Sequence, residues 1–218
     1  MYRIDSKEVS AALRLSVHPL LRTAGGFTKL KARGAWRFDE HTTSVVDFAS
    51  FSPSRAASMG CTTFSFSVQL GVFLRLGALQ PSGAPEAFLP KEEECPIRIQ
   101  LGKSLHQAKG SDASLFFVAA DGSNLDEVIE DARKALDQNA VPCLRRFQDL
   151  AYTYRFLLHG DPALPTELTH GGFAVSRPAR FSAPECSAIV ALGHVLGAKD
   201  PQADLEASPA FAFLKQPR

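Results

Sequence analysis

The clearest pattern in the chain is a strict alternation of residue types in segment 62–76. Seven apolar residues alternate there with mostly polar or small ones: Phe64, Phe66, Val68, Leu70, Val72, Leu74 and Leu76. A period of two predicts a β-strand with one buried face. The run is longer than the usual strand of about five or six residues. We therefore expect a bend or bulge, most readily at Gly71.

Shorter strand patterns lie on both sides of this segment. Segments rich in β-forming residues are interrupted by Gly34 and by the polar run 39–42. The predicted strands are 27–33, 35–39, 44–51, 95–101 and 115–119. Together with 62–76 they predict a curved, mainly antiparallel sheet of five or six strands.

Helices are predicted at both ends of the chain. Asp5 and Glu8 form a capping-box pattern, and apolar residues then recur at helical spacing up to Gly25, with Pro19 either kinking the helix or starting a second one. Three C-terminal helices are predicted over 125–139, from Pro142 to Gly160, and from a second capping box at Ser182.

The fold class is therefore α+β. Segment 161–180 contains three prolines and two adjacent glycines and looks irregular. We place a boundary there, with an α+β domain over 1–160 and a loop and helical extension packed on it over 161–218.

Composition excludes several classes of protein. Apolar residues make up 45% and charged residues 22%, as in ordinary globular proteins, and the net charge of +1 does not favour nucleic acid. The four cysteines are far apart, which predicts free thiols in a reducing compartment. The N-terminus lacks the apolar stretch of a signal peptide, and no apolar run is long enough to span a bilayer. We predict a cytoplasmic protein without membrane association, cofactor or metal.

Several short motifs, in order, carry a resemblance to a known family. They are LLRTAGGF at 20–27, RGAWRF at 33–38, VVDF at 45–48, the alternating run 64–74 and CPIRIQLG at 95–102. In these motifs the chain resembles the bacterial family called domain of unknown function 4304, over about residues 9–147. Ala49 and Phe51 depart from a segment that is more polar in the family, and the tail after Gly160 has no counterpart in it.

The resemblance implies a domain arrangement and no reaction, because the family has no established catalytic residues. Relatives placed beside bacterial toxin systems suggest an immunity or partner-binding role.

The strongest local charge is a basic hairpin. Lys29, Lys31 and Arg33 alternate along one predicted strand face, with Trp36 and Arg37 on the next strand. Such a face suits an acidic protein or a phosphate backbone. The alternative is a solvated edge strand whose lysines deter aggregation.

A second candidate surface is polar. Ser65, Ser67 and Gln69 alternate with the apolar residues of the long strand, and they lie beside Arg98 and Gln100 if those two strands pair. This would give a shallow hydrogen-bonding surface, unless helices cover it.

Two groups of residues are candidates for catalysis, and each has a structural role as its alternative. His159, Asp161 and His170 lie near two glycine turns, where a general base or metal site is possible but loop-ending roles are common. Cys143 follows a proline at a predicted helix start, beside Arg145 and Arg146, where a lowered thiol pKa competes with simple packing.

The sequence thus favours a non-enzymatic protein-binding protein, with a toxin-neutralising immunity protein as the specific form. A small hydrolase or transferase using His159, Asp161 and His170 is the first alternative. A nucleic-acid-binding module using the basic hairpin is the second.

Overall fold

The centre of the fold is a six-stranded antiparallel sheet in which strand order follows chain order. The computed structural model describes residues 4–79, 87–105 and 112–212. Residues 1–3 of the first predicted domain and 213–218 of the second lie outside these ranges. The sheet is open, with β1 and β6 at its edges. The strands are β1 (Lys29–Lys31), β2 (Gly34–Phe38), β3 (Thr42–Ser50), β4 (Phe66–Leu74), β5 (Ile97–Leu101) and β6 (Phe173–Ser176).

In the described ranges, one α-helix precedes the sheet, a short one lies between β3 and β4, and the others follow β5. The helices are α1 (Ser6–Thr23), α2 (Pro53–Ser58), α3 (Leu125–Ala135), α4 (Val141–Arg146), α5 (Leu150–His159), α6 (Ala183–Val195), α7 (Pro201–Ala207) and α8 (Pro209–Ala212). A π-helical turn, Leu136–Ala140, joins α3 to α4. The predicted α+β class, with an N-terminal helix, an antiparallel sheet and C-terminal helices, is confirmed.

The predicted helix starts agree with the structure. The Asp5 carboxylate accepts the amides of Lys7 and Glu8, and Glu8 reciprocates, so α1 begins with a capping box. Ser182 and Glu185 do the same for α6. Pro19 lies inside a continuous α1 and does not start a second helix.

The long strand is β4, and it has no bulge at Gly71. Gly71 pairs with Val45 on one side and Arg98 on the other, in registers that run without a break. A glycine is needed here for another reason. A Cβ at this position would lie 2.5 Å from the sulfur of Cys95, so the absent side chain allows Cys95 to pack directly on the strand.

Three predicted elements differ from the structure. Segment 115–119 forms only an isolated bridge between Phe116 and Phe66. The predicted helix from Pro142 to Gly160 is interrupted after Arg146, and Asp149 caps a new helix, α5. β6 lies in the segment predicted to be irregular, and it pairs with β5, so part of the chain after Gly160 belongs to the sheet.

The two faces of the sheet have different environments. On one face, side chains such as Val46, Leu70 and Ile99 form a single core with apolar residues of α1, α3, α5 and α6. On the other face, Val45, Phe73 and Cys95 form a smaller cluster, against which Trp36 and Phe88 pack. We call this second face the open face. Within the described ranges, every helix is too short or too polar to traverse a lipid bilayer.

Candidate functional site

Strand register aligns polar residues across the open face. Because paired residues in an antiparallel sheet point to the same side, one row across the sheet contains Lys31, Gly34, Asp47, Gln69, Gln100 and Ala174. The adjacent row contains Lys29, Trp36, Val45, Gly71, Arg98 and Ser176. These rows bring part of the basic hairpin and part of the polar strand surface onto one face.

Two adjoining cavities lie on this face. The first, of about 370 Å³, is lined by Trp36, Val45, Asp47, Ala49, Gln69 and the segment 91–93. The second, of about 360 Å³, is lined by Gln69, Glu92, Arg98, Ile99, Gln100, Thr166, Leu168, Ala174 and Ser176. Gln69 and Glu92 border both cavities, so the two lie side by side on the open face between β2 and β6. We call the two cavities together the open-face groove.

Trp36 forms one wall of the first cavity. Its ring lies across Gly34, where an added Cβ would come within 2.6 Å of a ring carbon. Its indole N–H donates a 2.8 Å hydrogen bond to the carbonyl of Pro90, which holds the opposite wall of the groove in place. The Lys31 ammonium lies 5.7 Å from the ring centre, within cation–π range.

Two half-buried carboxylates border the groove. Burial raises the pKa of Asp47, an effect that Arg33 partly opposes. Burial also raises the pKa of Glu92, with Arg98 opposing and Asp47 adding to the rise. Glu92 lies 3.8 Å from Arg98. Asp47 has no ion pair within 4 Å among the residues that the structure describes. Its negative charge is therefore incompletely compensated.

The basic hairpin divides between different environments. Lys29 and Lys31 are exposed on the open face. Arg33 lies in the turn between β1 and β2, and its guanidinium donates to Ser10 Oγ at 3.3 Å and Ser6 Oγ at 3.2 Å on α1. Arg33 thus joins the hairpin to the first helix, and the exposed cations of β1 are the two lysines.

The expectation that Arg37 contributes to the basic surface requires correction. Arg37 is only 7% exposed, and it lies on the helix-covered face of β2. Its guanidinium donates to the carbonyl of Gly25, to Ser44 Oγ and to the carboxylate of Asp39. Adjacent strand residues point to opposite faces, so Trp36 and Arg37 cannot both line the open face.

The polar surface predicted around the long strand forms only in part. Gln69 pairs with Gln100, and Arg98 pairs with the neighbouring Gly71, so these side chains meet in the groove as expected. Ser67 is on the same face but is buried. Ser65 precedes β4 and is fully buried, where it accepts the amide of Val118 and bonds to Thr62 Oγ1. Ser65 is therefore a structural residue.

The loop site predicted from three residues is only partly assembled. His159 and Asp161 line a shallow cavity of about 330 Å³ with Tyr152 and Arg155, and His170 does not line it. The Tyr152 hydroxyl donates to Asp161 at 2.8 Å. Burial and Asp161 together raise the pKa of Tyr152 to about 12, so this hydroxyl stays protonated. Among the described residues, no group of three His, Cys, Asp or Glu side chains could hold a metal.

His170 lies instead next to the end of β5. The amide of Gly171 donates a 2.7 Å hydrogen bond to the carbonyl of Lys103. This contact joins the loop before β6 to the segment after β5.

Cys143 lacks the environment of a reactive thiol. The π-helical turn runs directly into α4, so Cys143 does not lie at a free helix N-terminus. Burial raises its pKa to about 12, outweighing the opposing effect of Arg146. Of the two alternatives that the sequence left open, the structure thus favours packing over a lowered thiol pKa, and Cys143 lies in the main core.

The sequence patterns do not predict that Asp47, Glu92 and residues of β6 border the groove. Asp47 lies between the apolar residues Val46 and Phe48. The period-two pattern of 44–51 therefore indicates that its side chain points to the opposite face from theirs, which is the open face. Glu92 belongs to a 3₁₀ turn, Glu92–Glu94, whose position over the sheet depends on tertiary contacts such as Trp36 with Pro90. No local pattern reports such a contact.

Comparisons of the chain with protein-family models, with curated proteins and with solved structures found no match. The resemblance described from the sequence motifs therefore stays a prediction.

Proposed function

We propose that this chain is a non-enzymatic protein-binding protein that engages its partner through the open face of its sheet. The observation that carries the proposal is the open-face groove, whose two cavities lie side by side at Gln69 and Glu92 between β2 and β6. Among the described residues, α1, α3, α5 and α6 pack on the other face of the sheet. The open face therefore offers the polar rim and part-apolar floor that protein interfaces use.

The groove also contains charge that burial makes unfavourable. Asp47 and Glu92 are half-buried, and burial raises the pKa of both. Carboxylates with perturbed pKa values cluster at functional sites. At such a site a ligand can compensate the negative charge that the free protein leaves uncompensated. Nearby, Lys29 and Lys31 add exposed positive charge, so the surface carries both signs and suits a partner with a matching pattern.

The specific form of this role is an immunity protein that neutralises a bacterial toxin in the cytoplasm. The family resemblance supports this form, and so does the mixed charge of the groove. Such a partner would be encoded beside this chain.

The hydrolase or transferase alternative has one observation in its favour, the cavity that His159 and Asp161 share with Tyr152. Without His170 it offers one imidazole and one carboxylate, and the carboxylate is already bonded to Tyr152. The nucleic-acid alternative is weakened because Arg37 is buried and Arg33 is bonded to α1. Two exposed lysines supply few phosphate contacts.

The test uses the product of the neighbouring gene, coexpressed with the tagged full-length chain. Gln100→Arg places a bulky charge in the groove, whereas Gln138→Arg makes the same exchange at an exposed position of the π-helical turn. We expect a stable complex that Gln100→Arg weakens by about tenfold or more and Gln138→Arg leaves unchanged. Equal binding by both variants, or no complex at all, would contradict the proposal.

A further inference from the structure

We propose that the first cavity of the open-face groove receives an arginine side chain of the partner protein, held between Asp47 and Glu92 against Trp36. This inference rests on the proposed function and specifies the chemistry of the partner at one point of the interface. It is drawn from the shape of the cavity, its charge and its aromatic wall.

The cavity has the size and form for one long side chain. Its volume is about 370 Å³, and its floor is formed by β3 and β4 at Val45, Asp47 and Gln69. Trp36 closes one side and segment 91–93 closes the other. The hydrogen bond from Trp36 to Pro90 fixes the distance between these walls, so the cavity is preformed.

The charges at the cavity do not cancel. It is bordered by Asp47, Glu92 and Glu93, against one cation, Lys91. The Lys91 ammonium lies 3.5 Å from Glu93 at the exposed rim, where both side chains are mostly solvated. Arg98 partly compensates Glu92, whereas Asp47 has no ion pair within 4 Å among the described residues, so a partner cation would complete the charge balance at Asp47.

Arg33 and Arg98 compensate the inner carboxylates only in part, because each also donates hydrogen bonds to other groups. Arg33 opposes the pKa rise of Asp47, but its guanidinium donates to Ser6 and Ser10 on α1. Arg98 lies 3.8 Å from Glu92 and donates to the carbonyl oxygens of Glu93 and Cys95. Neither arginine is among the residues that line the first cavity.

The geometry favours a guanidinium over an ammonium. A guanidinium is planar, presents donors to two carboxylates at once, and stacks on an aromatic face. Trp36 already attracts one cation, since Lys31 lies 5.7 Å from its ring centre. A guanidinium can therefore contact the tryptophan wall while it donates to both acids.

The experiment uses Trp36 as its reporter, because it is the only tryptophan of the chain. The full-length protein is titrated with the peptide acetyl-Gly-Gly-Arg-Gly-Gly-amide, and the indole N–H resonance is followed by NMR. The matched peptide contains citrulline, which has nearly the same shape and no charge. A third peptide contains lysine.

We expect the arginine peptide to shift the indole resonance in a saturable manner and to bind about tenfold more tightly than the citrulline peptide. Asp47→Asn should abolish the difference in affinity between the arginine and citrulline peptides. Glu167→Gln, a substitution in an exposed loop, should preserve it. Equal affinity for the two peptides, or an unchanged preference in Asp47→Asn, overturns the inference. A lysine peptide that binds as tightly as the arginine peptide overturns the choice of guanidinium.

A second measurement separates this inference from the proposed function. With the coexpressed partner, a complex that Gln100→Arg disrupts and Asp47→Asn does not would leave the groove as the interface and remove the arginine pocket. A complex that neither variant disturbs would contradict both the groove as the interface and the arginine pocket within it.

Discussion

Gly71 on β4 and Cys95 before β5 are in such close contact that a single methyl group on Gly71 would lie 2.5 Å from the Cys95 sulfur and 2.6 Å from its Cβ. The contact fixes the start of segment 95–101 against the open face. It also explains why the strand keeps a glycine where the alternation would tolerate any small residue.

Gly71→Ala should therefore destabilise the protein by about 1–3 kcal/mol, the usual cost of overpacking. Urea denaturation of the full chain measures the effect. Cys95→Gly removes both contacting atoms, so the double variant should recover at least about 1 kcal/mol relative to the sum of the single variants. Strict additivity would mean that the strand relieves the contact by moving.

Arg37 should matter for folding and not for binding. Arg37→Ala leaves the Gly25 carbonyl, Ser44 and Asp39 without their donor, and we expect a loss of about 2–4 kcal/mol of stability. Lys29→Ala is the matched control on the exposed face and should change stability by no more than about 0.5 kcal/mol. A stable Arg37→Ala protein that no longer binds its partner would contradict this assignment.

His18 should make stability depend on pH. The imidazole is 7% exposed with Nε2 unpaired, and burial lowers its pKa, with Arg22 and Arg14 lowering it further. Below about pH 6.5 the unfolded chain binds a proton that the folded chain resists. Stability should thus fall as the pH drops from about 6.5 towards the lowered folded pKa.

The slope that His18 contributes cannot exceed about 1.4 kcal/mol per pH unit, the value for one proton. Urea midpoints at pH 7.5 and 5.5 measure it. His18→Gln, which does not titrate, should show a smaller loss between these two values than the natural chain does. Identical losses would assign the pH dependence to other groups.

Asp47 should make stability depend on pH in the opposite direction to His18. Its folded pKa is raised, so the folded state holds the proton more tightly than the unfolded state does. The resulting stabilisation is complete below the unfolded pKa of about 3.9 and is lost as the pH rises through the folded pKa. At pH 7 the ionised carboxylate is therefore unfavourable, and Asp47→Asn should stabilise the protein by roughly 0.5–1 kcal/mol.

Thermal unfolding at pH 7 and pH 3.5 tests this expectation. The advantage of Asp47→Asn should be present at pH 7 and should shrink at pH 3.5, where the carboxyl group is protonated in both states. Glu167→Gln, in an exposed loop, is the control and should have little effect at either pH. A destabilised Asp47→Asn protein at pH 7 would mean that the carboxylate stabilises the free fold.

Local signals accounted for much of the fold. The capping boxes at Asp5 and Ser182 mark helix starts through contacts within four residues, and the alternation of β4 reports one buried face directly. The sequence does not predict β6, because its four residues are too few to establish a period. It forms through pairing with β5, a contact between distant parts of the chain.

The candidate site was less accessible to sequence reasoning. Register brought Gln69 and Gln100 together as expected, because both belong to alternating strands. A run of like charges does not show which face each side chain takes, and the position of Arg37 beside Trp36 puts it on the other face. Glu92 reaches the groove through a turn whose position is set by Trp36 and Pro90.

The sequential strand order has a consequence for synthesis on the ribosome. β1 to β5 emerge before α3, α5 and α6, so most of the apolar sheet face exists before most of its cover. Only α1 precedes the sheet, and its Val9, Leu13 and Leu21 belong to the same core as Val46 and Leu70. In a growing chain, α1 is thus the first cover for a sheet face that would otherwise be open to aggregation.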